Sequence, residues 1–293
     1  MANHKIPNHL IDPLTSSPSP SKITQVATLQ NYIQELLGNT HHTFLQGSYK
    51  NGTAISDIND VDIVAVRKTT YSSAHSPRHF PSSISWDSIF SEIEQKLRNQ
   101  RRYQWTIERG DKCIKITGAF NADVVPAVQI SDDPKSDPVA VYSMRTGIEK
   151  MNRPRTHYDN GVLKQQATKE TYKPTVRMFK NWVKNHFHDS DTISSFKMEA
   201  FVHAMPSDKF YNDYAGTFCL VGSAILDKWD RQLGQFSYTP SVCGVENIIE
   251  GWSVIDQQNF LNQLLESSGH ALDAYNASTI SDAEQKWRLA LGM

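Results

Sequence analysis

The chain has 293 residues, 39% hydrophobic and 21% charged, with a formal net charge of −1. This is the balance of a soluble globular protein with room for one large domain or two ordinary ones. It excludes recruitment to duplex nucleic acid by bulk charge and favours small anionic substrates held at a local site.

Residues 12–21, DPLTSSPSPS, read as a Pro/Ser lead-in, so residues 1–21 are expected to form an irregular arm. Ile23, Val26, Leu29, Ile33 and Leu36/Leu37 then recur at helical spacing, stopped by Gly38. A short strand around Thr43 to Gln46 runs into a turn at Gly47-Ser48, and a second strand covers Asp60 to Arg67. Residues 71–85 are a Ser/Pro/His-rich loop, followed by a helix from about Trp86 to Arg98. Strands are expected at Tyr103 to Glu108, Cys113 to Thr117 and Ala122 to Ile130, with Pro126 demoting the last to an edge or an end. From about Thr156 helices dominate: His157 to Thr168, Tyr172 to Phe187, a helix capped at Ser194-Ser195, Tyr211 to Asp230, Ser253 to Ser267 and Asp282 to Leu291. The predicted organisation is an arm (1–21), a mixed-sheet core (22–150) and a helical lobe (151–293), with a cleft between core and lobe.

Cys113, Cys219 and Cys243 are odd in number and include no CxxC, which argues against a disulfide framework or a cysteine zinc site and suits a reducing compartment. The N-terminal MANHKIPNHL has no apolar h-region and no stretch approaches membrane-spanning length, so the expected location is the cytoplasm.

Chemistry concentrates in FLQGSYKNGTAISDINDVDIVAV, Phe44 to Val66. Side chains two apart on a strand share a face, so Asp60 and Asp62 point one way and Val61, Ile63 and Ala65 the other. Two carboxylates roughly 7 Å apart along a strand repel unless a cation lies between them. Asp123 is a lone acid in an apolar strand, Asn121-Ala-Asp-Val-Val-Pro, and is the candidate third ligand. Hard oxygen ligands select Mg²⁺, with Mn²⁺ as a substitute. Two bridged divalent ions neutralise a triphosphate, activate a hydroxyl and align it for displacement. Gly47 would admit close backbone approach to phosphates, and Ser48 with neighbouring amides would bind phosphate oxygens. A D-x-D alone is equally a solvated face, and Gly-Ser alone a common turn; the combination carries the signal. His186-Phe-His188-Asp-Ser-Asp191 reads as a surface pair at a helix end, since its two rings fall on different faces.

G-S, then T-x-I and D-V-D-I-V-A-V, then A-D-V-V-P-A-V resemble the polymerase-β-like nucleotidyltransferases. Within them the chain is most similar to the cyclic GMP-AMP synthase-like and dinucleotide cyclase-like enzymes, whose bacterial members make cyclic oligonucleotide signals in anti-phage defence. The resemblance extends to Lys173-Pro-Thr-Val-Arg-Met-Phe-Lys-Asn-Trp and to Ser194-Ser-Phe-Lys-Met-Glu, covering about residues 40–205, with a weaker echo near Trp287 to Gly292. It implies an α+β fold, a polymerase-β-like nucleotidyltransferase core with a C-terminal helical lobe. It also implies that Lys180 and Ser195 contact the triphosphate, that Phe196 stacks on a base, and that the product activates an effector protein encoded elsewhere. The expected function is Mg²⁺-dependent condensation of NTPs into a cyclic di- or trinucleotide with release of pyrophosphate. The alternatives are transfer of one nucleotide to a protein or RNA, and a catalytically inactive nucleotide sensor.

Overall fold

The segment Asp60 to Tyr71 is rich in β-branched residues and alternates, and it forms the long strand around which one half of the chain is built. The computed structural model describes residues 4–56, 60–76, 84–188 and 192–293. Most of the 71–85 loop interior, and Asp189 to Asp191 of the His-x-His segment, lie outside those residues. The elements in chain order are α1 (Asn8–Thr15), α2 (Pro20–Leu37), β1 (His41–Gln46), α3 (Gly47–Asn51), β2 (Asp60–Tyr71), α4 (Trp86–Arg98), β3 (Thr106–Arg109), β4 (Ile114–Thr117) and β5 (Asn121–Gln129). They continue with β6 (Val139–Ser143), β7 (Ile148–Asn152), α5 (Pro154–Ala167), α6 (Tyr172–Phe187), α7 (Ser195–Ala204), α8 (Tyr214–Leu226), α9 (Val254–Tyr275) and α10 (Ile280–Leu291). The chain divides into a sheet unit, Pro18–Tyr158, and a helical unit made of Met1–Ser17 with Asp159–Met293.

In the sheet unit the strand order is β1-β2-β5-β4-β3, with β6 pairing β5 beyond β4 and β7 pairing β6. β2 and β5 run parallel; the other neighbours are antiparallel. One face of β2 and β5 offers Val61, Ile63, Ala65, Ala122, Val124 and Val128, and the helices α2 and α4 cover it with Val26, Leu29, Ile33, Leu37, Ile89, Phe90, Ile93 and Leu97. The other face carries Val64, Val66 and Ala127 in a smaller cluster with Val139. Alternation thus sorts the aspartates away from the main core of this unit.

Two expectations need correction. β5 is neither an edge nor a terminal strand, despite Pro126. On its outer side β4 pairs as far as Val124 and β6 begins at Ala127, so Pro126 falls in the gap between them, where the ladder is interrupted. The N-terminal segment is also not irregular. Residues 8–15 are helical even with Pro13 inside, and Leu10, Ile11 and Leu14 are buried. Arg177 Nε donates to Thr15 O at 2.6 Å and Asn181 Nδ2 to Leu14 O at 2.9 Å, both from α6. An internal proline costs about 3 kcal/mol, whereas burying three such aliphatic side chains contributes roughly 1.5–3 kcal/mol each, so tertiary packing decides. Ser19 then caps α2, its Oγ accepting from Lys22 N at 3.3 Å, with Pro20 at the first helical position.

The helical unit is organised by α6, whose Tyr172, Val176, Phe179 and Trp182 are fully buried. Phe179 stacks on Phe218 at 5.2 Å, and Trp182 Nε1 donates to Ser267 Oγ at 3.0 Å from α9. Helical spacing predicts a buried stripe of Val176, Phe179, Val183 and Phe187; the first two are in the core of this unit, Val183 and Phe187 are half-buried against it, and Trp182 is buried with them.

Candidate active site

β1 and β2 are joined through α3, and this turn sets the first part of the site. Gln46 lies opposite Asp62 across the β1–β2 ladder. Gly47 then adopts φ +67°, a left-handed conformation that glycine alone takes without strain. A side chain there would overlap Asp62 Oδ2 and come within 3.3 Å of Asp62 Cγ. Gly47 is required twice, for its backbone conformation and for the room it leaves a carboxylate. Ser48, next in α3, is half-buried, and its carbonyl accepts from Thr53 N at 2.9 Å and Ala54 N at 3.1 Å, closing the turn.

The parallel pairing of β2 with β5 sets the second part. Asp62 is in register with Asp123, and Asp60 with Asn121. Directly paired residues on neighbouring strands project to the same face, so all three acids share one side of the sheet. Asp60 is exposed, while Asp62 and Asp123 are half-buried. Burial, then the Asp123 charge, then the Asp60 charge push the Asp62 carboxyl up from 3.8 to about 6. Like charges held together in partial burial are what a multivalent cation neutralises. The acids are not drawn into a tight chelate, and among the described residues no group of three or more His, Cys, Asp or Glu forms one. The donor set fits hard divalent cations all the same: three carboxylates on one face, one kept high in pKa by burial and by its neighbours, beside a glycine-made opening.

Two neighbours of Asp123 escaped the sequence reading. Lys115 is its register partner on β4, exposed on the same face. The Cys113 thiol, buried one alternation earlier, is pushed up to about 12 by burial and by the Asp123 carboxylate. The alternation of Cys113, Lys115 and Thr117 with the core residues Ile114 and Ile116 was the available signal. It could not name a partner, because strand order is not written in any one strand.

The remaining candidates lie in the helical unit. The resemblance assigns Lys180 to the triphosphate. Lys180 is 6% exposed, and its Nζ meets Glu199 Oε2 at 2.6 Å. A buried ammonium needs a counter-charge, and Glu199, the last residue of the Ser-Phe-Lys-Met-Glu run, supplies it. Ser195 opens α7 and is exposed, with Ser194 as the cap, its Oγ accepting from Lys197 N at 3.2 Å. Phe196 is 45% exposed, off the buried Met198/Phe201/Val202 stripe. His186 is not on the surface as expected: it is half-buried, packs on Trp182 at 5.3 Å and has its Nε2 3.2 Å from Ala290 O of α10, while His188 is exposed.

The family model for the cGAS/DncV-like nucleotidyltransferase C-terminal helical domain matches residues 159–269. A cyclic UMP-AMP synthase from Rhodothermus marinus is 32% identical over 214 residues, covering 66% of this chain and 74% of that protein. A cyclic dipurine nucleotide synthase from Elizabethkingia meningoseptica is 27% identical over 221 residues, covering 65% of this chain and 75% of that protein. Among solved structures, the Rhodothermus marinus CdnE c-UMP-AMP synthase with Apcpp and Upnpp superposes with a TM-score of 0.70 at 24% identity, over 89% of this chain and 96% of that one. Escherichia coli CdnC, in a complex with HORMA, has a TM-score of 0.72 at 14% identity, covering 94% and 93%. Aspartates on one sheet face, the helical domain and these likenesses agree: the chain belongs to the cGAS/DncV-like nucleotidyltransferases.

Proposed function

We propose that this nucleotidyltransferase condenses NTPs into a cyclic di- or trinucleotide with release of pyrophosphate, using Asp60, Asp62 and Asp123 as its catalytic carboxylates. The observation that carries the reading is the register of Asp62 with Asp123 on parallel strands, with Asp60 two residues earlier on the same face. Divalent ions, Mg²⁺ or Mn²⁺, would be held by these three side chains and would supply charge neutralisation and hydroxyl activation.

The residues of the chain then do the following. Asp60 and Asp62 anchor the triphosphate side of the site, and Gly47 leaves the Asp62 carboxylate its room. Ser48 and the backbone at the turn hold phosphate oxygens. Asp123 faces the attacking hydroxyl and helps take its proton. The hydroxyl oxygen bonds to the α-phosphorus of a second nucleotide as the bond to pyrophosphate breaks, and a second transfer closes the ring. Lys180 and Ser195 are assigned to the triphosphate and Phe196 to base stacking; the exposure of Phe196 supports its part. Lys180 would share its charge between Glu199 and phosphate. In this reading the product acts on an effector encoded elsewhere, in anti-phage defence.

Incubation with four labelled NTPs and Mg²⁺ or Mn²⁺, followed by phosphatase treatment and mass spectrometry, tests the proposal. A phosphatase-resistant cyclic product from the wild type, and none from Asp60→Asn or Asp62→Asn, is expected. Wild-type yield from either variant removes the site assignment. Label on protein or RNA replaces cyclisation with single nucleotide transfer, and NTP binding without pyrophosphate release under either metal replaces catalysis with sensing.

A further inference from the structure

A cavity of about 790 Å³ opens in the sheet unit, lined in part by Gln25 of α2, by Arg102, Tyr103, Gln104 and Trp105 before β3, and by Gly118 after β4. None of the three aspartates lines it. The helix α2 packs on Val61, Ile63 and Ala65, the face of β2 opposite Asp60 and Asp62, so the cavity lies on the far side of the sheet from the acids. Its size falls within the roughly 300–1,000 Å³ of small-molecule sites.

Its walls have a definite chemistry. The rings of Tyr103 and Trp105 are stacked, 5.3 Å apart and 9° from parallel, and Tyr32 meets both edge-on. The Arg102 guanidinium lies 5.1 Å from the Tyr32 ring and 5.3 Å from Tyr103, and among the described residues it makes no ion pair. Of the arginines nearby, Arg98 pairs with Glu94 and Arg109 with Asp87 and Glu94, while exposed Arg101, outside the cavity lining, like Arg102 makes no ion pair among the described residues. The Gln25 and Gln104 carboxamides are exposed, and no hydrogen bond engages them or the Trp105 indole N–H among the described residues. An aromatic platform, an uncompensated cation and unused amide donors and acceptors suit one ligand class, a heteroaromatic ring that bears an anionic group.

We propose that this cavity is a second, non-catalytic nucleotide site. The base stacks on the Tyr103–Trp105 pair, Gln25 and Gln104 meet its polar edge, and Arg102 meets the phosphate. The position gives it a route to the acids. Gly118 is packed so closely that a Cβ there would stand 2.9 Å from Trp105 Cδ1, and Gly118 N donates to Asn121 Oδ1 at 3.4 Å. Asn121 is the register partner of Asp60 and stands two residues before Asp123. A ligand against Trp105 therefore bears on the segment that enters β5.

Tryptophan fluorescence of the full chain, titrated with AMP, GMP, CMP and UMP in EDTA, tests the site independently of catalysis. At least one nucleotide should quench the wild type and Asp62→Asn alike, because metal-free carboxylates repel phosphate. Arg102→Ala and Tyr103→Ala, both at exposed positions, should weaken the quenching nucleotide by roughly tenfold or more with unchanged circular dichroism. Trp105→Phe should remove most of the signal. No quenching by any of the four nucleotides overturns the proposal. So does quenching that survives unchanged in Arg102→Ala and Tyr103→Ala, or that disappears in Asp62→Asn while persisting in Arg102→Ala.

Discussion

Replacing Asp62 with Asn should make the metal-free protein more stable while abolishing its chemistry. Asp62 is partly buried beside two other carboxylates, and its pKa is raised from 3.8 to about 6. An acid whose folded pKa lies above its unfolded pKa favours the fold only in its neutral form. That contribution is fully present below pH 3.8 and is lost as pH rises through about 6. The interval corresponds to about 3 kcal/mol, a ceiling because the side chain retains some solvent contact. Above pH 7 in EDTA, Asp62→Asn should therefore unfold later than wild type by up to that amount, or roughly 2–4 °C per kcal/mol in a domain of 150–250 residues. Near pH 3.5 the two should coincide. The wild-type profile alone would hide the effect. His41, fully buried, has its pKa lowered to about 4 by burial, so stability is lost as pH falls from 6.5 through that value, opposite in direction to Asp62. The difference between the two proteins isolates the carboxylate. Saturating Mg²⁺ should then narrow the gap: a cation at a hundred times its Kd stabilises the wild type by about 2.7 kcal/mol and the variant by less. Thermal unfolding at pH 3.5 and 8, with EDTA or Mg²⁺, gives all the required differences. An Asp62→Asn protein equal to or less stable than wild type at pH 8 in EDTA would refute the argument from carboxylate repulsion.

Gly47→Ala should eliminate product formation, because the new methyl occupies the space of the Asp62 carboxylate at a left-handed position that itself costs about 1–2 kcal/mol; measured yield within tenfold of wild type would contradict it. Lys180→Ala should destabilise the chain by about 3–5 kcal/mol in urea titrations, since it removes the ammonium 2.6 Å from the buried Glu199 carboxylate. The double change Lys180→Met with Glu199→Leu should recover much of that loss in stability, while activity stays absent if Lys180 serves the triphosphate. The Cys113 thiol, raised to about 12 and buried, should remain unalkylated by iodoacetamide at pH 8 in the native protein and react once it is unfolded, as read by peptide mass spectrometry.

Alternation and helical spacing were enough to place α4 over Trp86–Arg98 and α6 over Tyr172–Phe187, because each pattern is a local record of which side is buried. They were also enough to put Asp60 and Asp62 on one face, since a strand's period of two needs no partner. The two strands β6 and β7 were missed: Val139–Ser143 and Ile148–Asn152 are short, and β7 has no buried side chain to leave a pattern. Helix α1 was missed because proline and serine signal a break, and only contacts with α6, some 160 residues away, repay the proline.

The acids divide along the same line. By itself the sequence determined that two aspartates share a strand face behind a Gly-Ser turn, and that a third stands alone in a later strand. Tertiary structure alone decided that the third is the register partner of Asp62, that Gly47 abuts the Asp62 carboxylate, and that Lys180 is paired with Glu199 inside the helical unit. The physical reason is that periodicity reports the orientation of a side chain about its own strand or helix, whereas register and counter-ion choice are properties of two segments that meet only when the chain is folded.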